Sequence, residues 1–362
     1  MKGLLSLLLF IPWILSAQVE SGTLRFVFYN VENLFDPFDD SLTLDDEFTS
    51  GGSRHWTWER FLEKERKIYK VLASAGGWEP PGLIGLCEVE NRFVLNWLVA
   101  KTPLLKYNYR IIHRDSPDER GIDVALLYLP LKFRPLAWDC IPVKGIQDPT
   151  RDVLYVRGLV MERDTLHLVI CHFPSRWEGY LESLPERNLA AGTVRMLLDS
   201  LFRSGPRPRI LIAGDMNDEL TDPGPSSVLR VRMPGKEISD TCVYYTGPPG
   251  LVPEETGPAS AKTFGIPGTL KYRGTWYTFD HLFVSGSLLM DTCLFVRPGG
   301  KVIHAPGFLL EKDPAMPGVR PFRTFNGYRY AGGFSDHLPV FIDIHRDNRA
   351  GTSGDFPPCQ GE

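Results

Sequence analysis

Seven apolar runs of strand length recur along this chain: LRFVFYN (24–30), LIGLCE (83–88), DVALLYL (123–129), LHLVICH (166–172), RILIAGD (209–215), HLFVS (281–285) and PVFIDI (339–344). Several are apolar throughout rather than alternating, the pattern of strands covered on both faces. Helical spacing lies between them. Phe61, Leu62, Ile68, Val71, Leu72 and Ala75 share one face after a capping Thr57, and Gly76-Gly77 stops the helix. Leu189, Val194, Leu197, Leu198 and Leu201 make a second stripe after Pro185. Strands interleaved with helices predict a layered α/β domain. No internal repeat and no linker divides the chain into two cores, so one domain is expected over 22–345, with a polar tail over 346–362. The Gly- and Pro-rich stretches 246–275 and 297–335 read as long loops.

The runs share a second property: polar residues stand where they finish or begin. Asn30 closes the first, Glu88 the second and His172 the fourth; Asp215 and Asn217 follow the fifth in GDMND; Asp280 opens HLFVS; Ser335-Asp336-His337 opens LPVFIDI. Ligands of layered α/β proteins bind at strand ends, where loops gather residues distant in sequence. A single carboxylate after a strand is ordinarily a turn former or helix cap. Six such positions with complementary chemistry point to a site.

The ordered set Asn30, Glu88, His172, Asp215-x-Asn217, Asp280 and Ser335-Asp336-His337 resembles the endonuclease/exonuclease/phosphatase superfamily, which includes pancreatic-type DNases, abasic-site endonucleases, inositol polyphosphate phosphatases and bacterial sphingomyelinases. The match runs from about Arg25 to Ile344, with GDMND and SDHLPV as its specific signals. YNVENLFD, RGIDVALLY, HFPSR and KYRGTWYTFDHLFVS look most like a branch of exported bacterial proteins. The resemblance implies a DNase I-like fold: an α/β four-layer sandwich of two mostly antiparallel sheets flanked by helices, with the active site at one rim.

The residue chemistry agrees with that reading. A phosphate ester attacked by water needs charge neutralisation, an activated nucleophile and a supported leaving group. Mg2+ asks for one or two carboxylates and keeps its waters, with Mn2+ or Ca2+ as alternatives. The resemblance makes Glu88 the metal ligand, assisted by Asn30 and Asp336. Asp215 is placed to accept a proton from the attacking water, with Asn217 orienting it. His337, held by Asp280 as the resemblance implies, would act as a cationic donor. His172 matches a family site that donates to the scissile phosphate; its plainer reading is a strand-end histidine satisfied by backbone. Arg176, Arg120, Lys271 and Arg273 are candidates for further substrate contacts, against which stands an ordinary solvated surface. Glu32 and Asp36 lie close enough in sequence to reach a second metal or to cap the next turn. Glu90 competes with Glu88, since alternation puts both on one side of a continuing strand. Asp123 is a candidate for the rim, and His281 reads as structural.

Composition bounds the rest. The opening MKGLLSLLLFIPWILSA reads as a signal peptide over 1–17, so export to the periplasm or beyond is expected, with no stable membrane insertion after cleavage. Six scattered cysteines lack any close pair, so no disulfide framework or zinc site is read. The net charge of −4 provides no general basic field, although nucleic acid remains among the phosphate-ester substrates considered. A calcineurin-type phosphoesterase would need DxH, GNH and GHxH motifs that are not present. Two other readings stand: a ligand-binding protein of the same fold without catalysis, and a sphingomyelinase- or inositol-phosphatase-like hydrolase. The former would have replaced a catalytic position with an inert residue. The latter would expose an aromatic hairpin to membrane, for which Phe322, Phe325, Tyr328 and Tyr330 are candidates. The oligomeric state is left open.

Overall fold

The computed structural model describes residues 22–248 and 266–347. The expected leader and most of the expected tail lie outside them. Nine strands in chain order carry most of the architecture: β1 (Thr23–Leu34), β2 (Leu83–Val89), β3 (Arg110–Ile112), β4 (Asp123–Tyr128), β5 (Phe133–Ile141), β6 (Val153–Val160), β7 (Asp164–His172), β8 (Ile210–Asp215) and β9 (Val243–Tyr245). Three helices flank them: α1 (Trp58–Gly76), α2 (Arg92–Lys101) and α3 (Leu184–Ser204). All seven apolar runs are strands, including Asp280–Ser285 and Val340–Arg346.

The strands form two sheets. In the first, the order is Leu294–Val296, Val340–Arg346, β1, β2, β4, β3, with Val302–Ile303 also paired to Val340–Arg346. In the second it is β5, β6, β7, β8, Asp280–Ser285, β9. The β1/β2 and β7/β8 pairs are parallel and the others antiparallel. Phe26 and Phe28 of β1 meet Leu168 and Ile170 of β7 and Leu211 and Ala213 of β8 in a core between the sheets. The opposite face of the first sheet packs Val27, Tyr29, Ile84 and Leu86 against α1 and α2, and that of the second packs Val169, Ile210 and Ile212 against α3. The result is the expected four-layer sandwich, whose strands are apolar on both sides because both sides are covered.

Local chemistry explains the elements. The Thr57 hydroxyl accepts from Arg60 N at the start of α1, and Gly77 leaves it at φ 74°. The α3 stripe differs from the expected one: Leu189 is 40% exposed, whereas Arg187, Ala190 and Ala191 face inward with Val194 and Leu198. The stretch 297–335 is not a plain loop, for it holds short antiparallel pairs at Leu310–Lys312/Val319–Pro321 and Phe325–Asn326/Arg329–Tyr330. Of the four aromatics considered for membrane contact, Phe325 is buried against Phe48 and Trp56 and only Tyr328 is largely exposed. They serve packing. Among the described residues no helix is long and apolar enough to cross a membrane. Cys293 is disulfide-bonded, which corrects the reading of the cysteines in part; Cys87, Cys140, Cys171 and Cys242 are free.

Glu65 sits on the buried face of α1 with neither carboxylate oxygen hydrogen-bonded. Burial drives its pKa well above the ordinary range, while Lys64 opposes that only partly. The folded state therefore holds the proton more tightly than the unfolded chain, and stability is lost as pH rises through the ordinary carboxyl range. Glu65→Leu is expected to stabilise the fold by about 1–3 kcal/mol, and by more at pH 8 than at pH 5. Thermal unfolding at the two pH values checks this, and a lower Tm at pH 8 contradicts it.

Candidate active site

The ends of β1 and β2 in one sheet meet the ends of β7 and β8 in the other. Register puts three chemical groups side by side: His172 opposite Asp215, and Asp215 opposite Asp280. Gly214 makes this possible, because a Cβ there would stand 2.5 Å from the Cys171 carbonyl oxygen. Met216 N then bonds Phe279 O, and Asn217 turns the chain at φ 49°, a left-handed conformation that Asn tolerates.

One oxygen of Asp215 is the focus. Its Oδ2 accepts from Asn30 Nδ2 at 2.9 Å and lies 3.6 Å from His337 Nε2 and 3.8 Å from His172 Nε2. The other oxygen accepts from Asn217 N at 3.0 Å. The Asn30 amide also donates to Glu88 Oε1 at 3.0 Å, joining the two acids, and Asn30 Oδ1 is fixed by Glu32 N at 2.9 Å. Glu88 Oε2 accepts from Asn33 N at 2.9 Å, and His172 Nε2 stands 3.9 Å from Glu88 Oε1. His337 Nδ1 pairs with Asp280 Oδ2 at 2.7 Å, and the Ser335 hydroxyl braces both sides by donating to Asn30 O and accepting from His337 N.

The electrostatics separate the two imidazoles. Burial pushes the His172 pKa well down, helped by Arg151, Arg120 and His337, so this ring is neutral. Burial would also lower His337, but Asp280, Asp215 and Asp336 outweigh it and hold the ring protonated. Burial raises Asp215 to about 6, with His337 opposing and Asp280 adding to the rise. Two titratable groups pushed to opposite protonation states in one cleft are what acid–base chemistry requires.

The two glutamates of β2 diverge. Glu88 takes φ 60° and the β2/β4 register slips between Cys87 and Val89, so strict alternation fails there. Glu88 joins the site, while Glu90 accepts from Asp36 N, with its pKa raised to about 9 chiefly by burial. Asp36 in turn bonds Phe38 N and Asn91 Nδ2. Glu32 accepts from Thr324 N and faces Arg323. Asp336 lies against Arg323 at 2.7 Å.

The cationic candidates are spread more widely. Arg120 donates to Asn33 Oδ1 at the rim beside Glu88. Arg176 donates to Asn217 O and to Asp218 and Asp222. Lys271 pairs with Asp313 at 2.9 Å, and Arg273 is exposed over Tyr272. Asp123 pairs with His113 at 3.2 Å, and His281 bonds Asp218 O. Sequence reasoning missed Lys64, buried under the site and donating to Phe334 O at 2.6 Å, and Arg151, which pairs with Asp118 and donates to Phe173 O. The signal for Lys64 was available: it falls on the α1 stripe between Phe61 and Ile68.

The donor set fits a hard divalent cation. Glu88 and Asp215 face one another across Asn30; of the two imidazoles within 4 Å of these acids, His172 is neutral and the charged His337 is already paired with Asp280, so the cleft carries more negative charge than its own groups balance. Glu88 would hold the ion through its carboxylate oxygens, which suit Mg2+. Asn30, expected as a second ligand, turns its Nδ2 toward Glu88 and Asp215 and its Oδ1 toward Glu32 N, and so braces the two acids instead. Asp215, Asp280 and His337 also place donor atoms within 4.8 Å of one another, but the charged His337 offers that trio no free lone pair.

A family model described as Endonuclease/Exonuclease/phosphatase family matches residues 25–346. No curated protein matches the chain in sequence. Among solved structures, it is similar to humanized D. rerio TDP2 (14% identity, 89% of this chain and 98% of that one, TM-score 0.52). It is similar also to the human Nocturnin catalytic domain with bound sulfate anion (15%, 90% and 95%, 0.51). An endonuclease/exonuclease/phosphatase family protein from Bacteroides thetaiotaomicron gives 15%, 91% and 99%, and 0.53. At such identities the likeness establishes the fold.

Proposed function

The chain belongs to the endonuclease/exonuclease/phosphatase family, whose members are generally phosphoesterases and nucleases, and from that premise we propose that it hydrolyses a phosphodiester or phosphomonoester with a divalent cation. The convergence on Asp215 Oδ2 carries the reading: an amide, a neutral imidazole and a charged imidazole all lie within 4 Å of that oxygen. Asp215 takes the proton of the attacking water. Asn217, held by its backbone against Asp215 and by its amide on Phe173 O at 3.1 Å, orients that water. His337, kept protonated by Asp280, donates to the phosphoryl oxygen as charge develops there. His172, neutral, would present its Nε2, 3.8 Å from Asp215 Oδ2 and 3.9 Å from Glu88 Oε1, as a second donor to the phosphate. Held by Glu88, Mg2+ would supply charge neutralisation at the phosphoryl group.

The Cys293 disulfide and the apolar leader support an exported protein, since such bonds persist in oxidising compartments. The test is hydrolysis of plasmid DNA, RNA, bis-nitrophenyl phosphate, nitrophenyl phosphate, sphingomyelin and inositol phosphates with Mg2+ or Mn2+. At least one ester is expected to be cleaved, with the cleavage abolished by chelation and by Glu88→Ala. Turnover that persists in chelator removes the cation from the reading. Tight binding of an ester without turnover favours the non-catalytic alternative.

A further inference from the structure

Asp218, the last residue of GDMND, is completely buried and makes no contact with the catalytic groups, yet it gathers two guanidinium groups. Its Oδ1 accepts from Arg187 Nε at 2.6 Å and from Arg176 Nη2 at 3.0 Å. Arg187, itself fully buried in α3, also donates to Ser183 Oγ at 2.6 Å and Tyr180 O at 3.0 Å. Arg176 donates to Asn217 O and lies over Phe279 at 4.6 Å, the residue before Asp280. His281, the residue after Asp280, donates to Asp218 O at 2.9 Å.

Every residue of the turn after Asp215 is therefore held: Met216 by Phe279 O, Asn217 by Asp215, Phe173 and Arg176, and Asp218 by His281 and both arginines. Desolvating the Arg187–Asp218 pair, with Arg176 partly covered beside it, is a poor route to stability, because apolar residues of similar volume would do as well or better. What planar forks provide and apolar packing does not is direction.

We infer that Asp218 is a positioning residue: clamped by Arg187 and Arg176, it fixes the left-handed turn at Asn217 and so aims the Asp215 carboxylate and the Asn217 amide at the reacting phosphate. This rests on the hydrolase reading above. It also gives the arginine of HFPSR a duty in the clamp, with its donors directed inward to Asn217, Asp218 and Asp222.

Two variants test the clamp from different sides in the full chain with Mg2+. Asp218→Asn keeps the shape and removes the charge. Gly224→Ala leaves the clamp residues in place but sets a Cβ 2.6 Å from Asp218 Oδ2. Both are expected to lower kcat on bis-nitrophenyl phosphate by about 10²-fold with KM changed by less than about twofold. Amides 216–219 are expected to exchange hydrogen faster while those of β7 and β8 are unchanged, and Arg187→Lys is expected to retain more activity than Arg187→Met. A rise in KM with kcat intact overturns the inference, as does a kcat that falls only in step with the folded fraction measured by circular dichroism. If the wild type cleaves no ester, the hydrolase reading fails instead, and unaltered exchange at 216–219 in Asp218→Asn then overturns the clamp on its own.

Discussion

Asp215→Asn is expected to lower kcat for the cleaved ester by about 10²–10⁴-fold, the range for loss of a positioned general base. Burial lifts the Asp215 pKa to about 6, His337 counters that lift and Asp280 reinforces it. At neutral pH the group is ionised yet basic enough to take a proton from water. The wild-type rate should therefore fall as pH drops below about 6, and that acid limb should vanish in the variant. Stability moves the other way. A carboxyl with a raised folded pKa favours the protonated form in the fold, so its charge detracts from stability as pH rises above the unfolded value. The Asn variant should melt no lower than wild type at pH 7, which separates lost chemistry from lost fold. A variant that keeps a tenth of wild-type kcat would remove Asp215 from the water-activating role.

The strands were legible because their burial on two faces writes unbroken apolar runs, and the site was legible because its residues stand at the ends of those runs. β3, β5, β6 and β9 were not among the runs read: β5, FRPLAWDCI, lies at a sheet edge, with Leu136 and Trp138 each 44% exposed, so no core pattern marks it. The choice between Glu88 and Glu90 turns on a positive φ at Glu88 that no neighbouring glycine announces. Here the family resemblance pointed to Glu88, and alternation alone would have kept both. Arg323 and Asp336 meet from separate loops, a pairing that spacing does not encode. Lys64 and Arg187 could have been found, since each is a charge on an otherwise apolar helix stripe and so implies a buried partner.

Asp280→Asn should produce the second large loss, again about 10²–10⁴-fold in kcat at pH 8, by acting on His337 rather than on substrate. Burial works against the imidazolium; Asp280 at 2.7 Å is the chief opposing charge, with Asp215 and Asp336 adding to it. Removing that charge lets burial lower the His337 pKa, so the alkaline limb of the rate profile moves to lower pH and part of the loss is recovered on acidification. His337→Ala, which deletes the donor, should show no such recovery. Stability carries the same signature. A histidine whose folded pKa is raised contributes stability that is fully present below about 6.5 and is lost as pH rises through the folded value. That decline in Tm on the alkaline side should flatten in Asp280→Asn. An alkaline limb that stays in place in this variant would mean that Asp280 orients the ring without setting its charge, and the protonated His337 would then need another source.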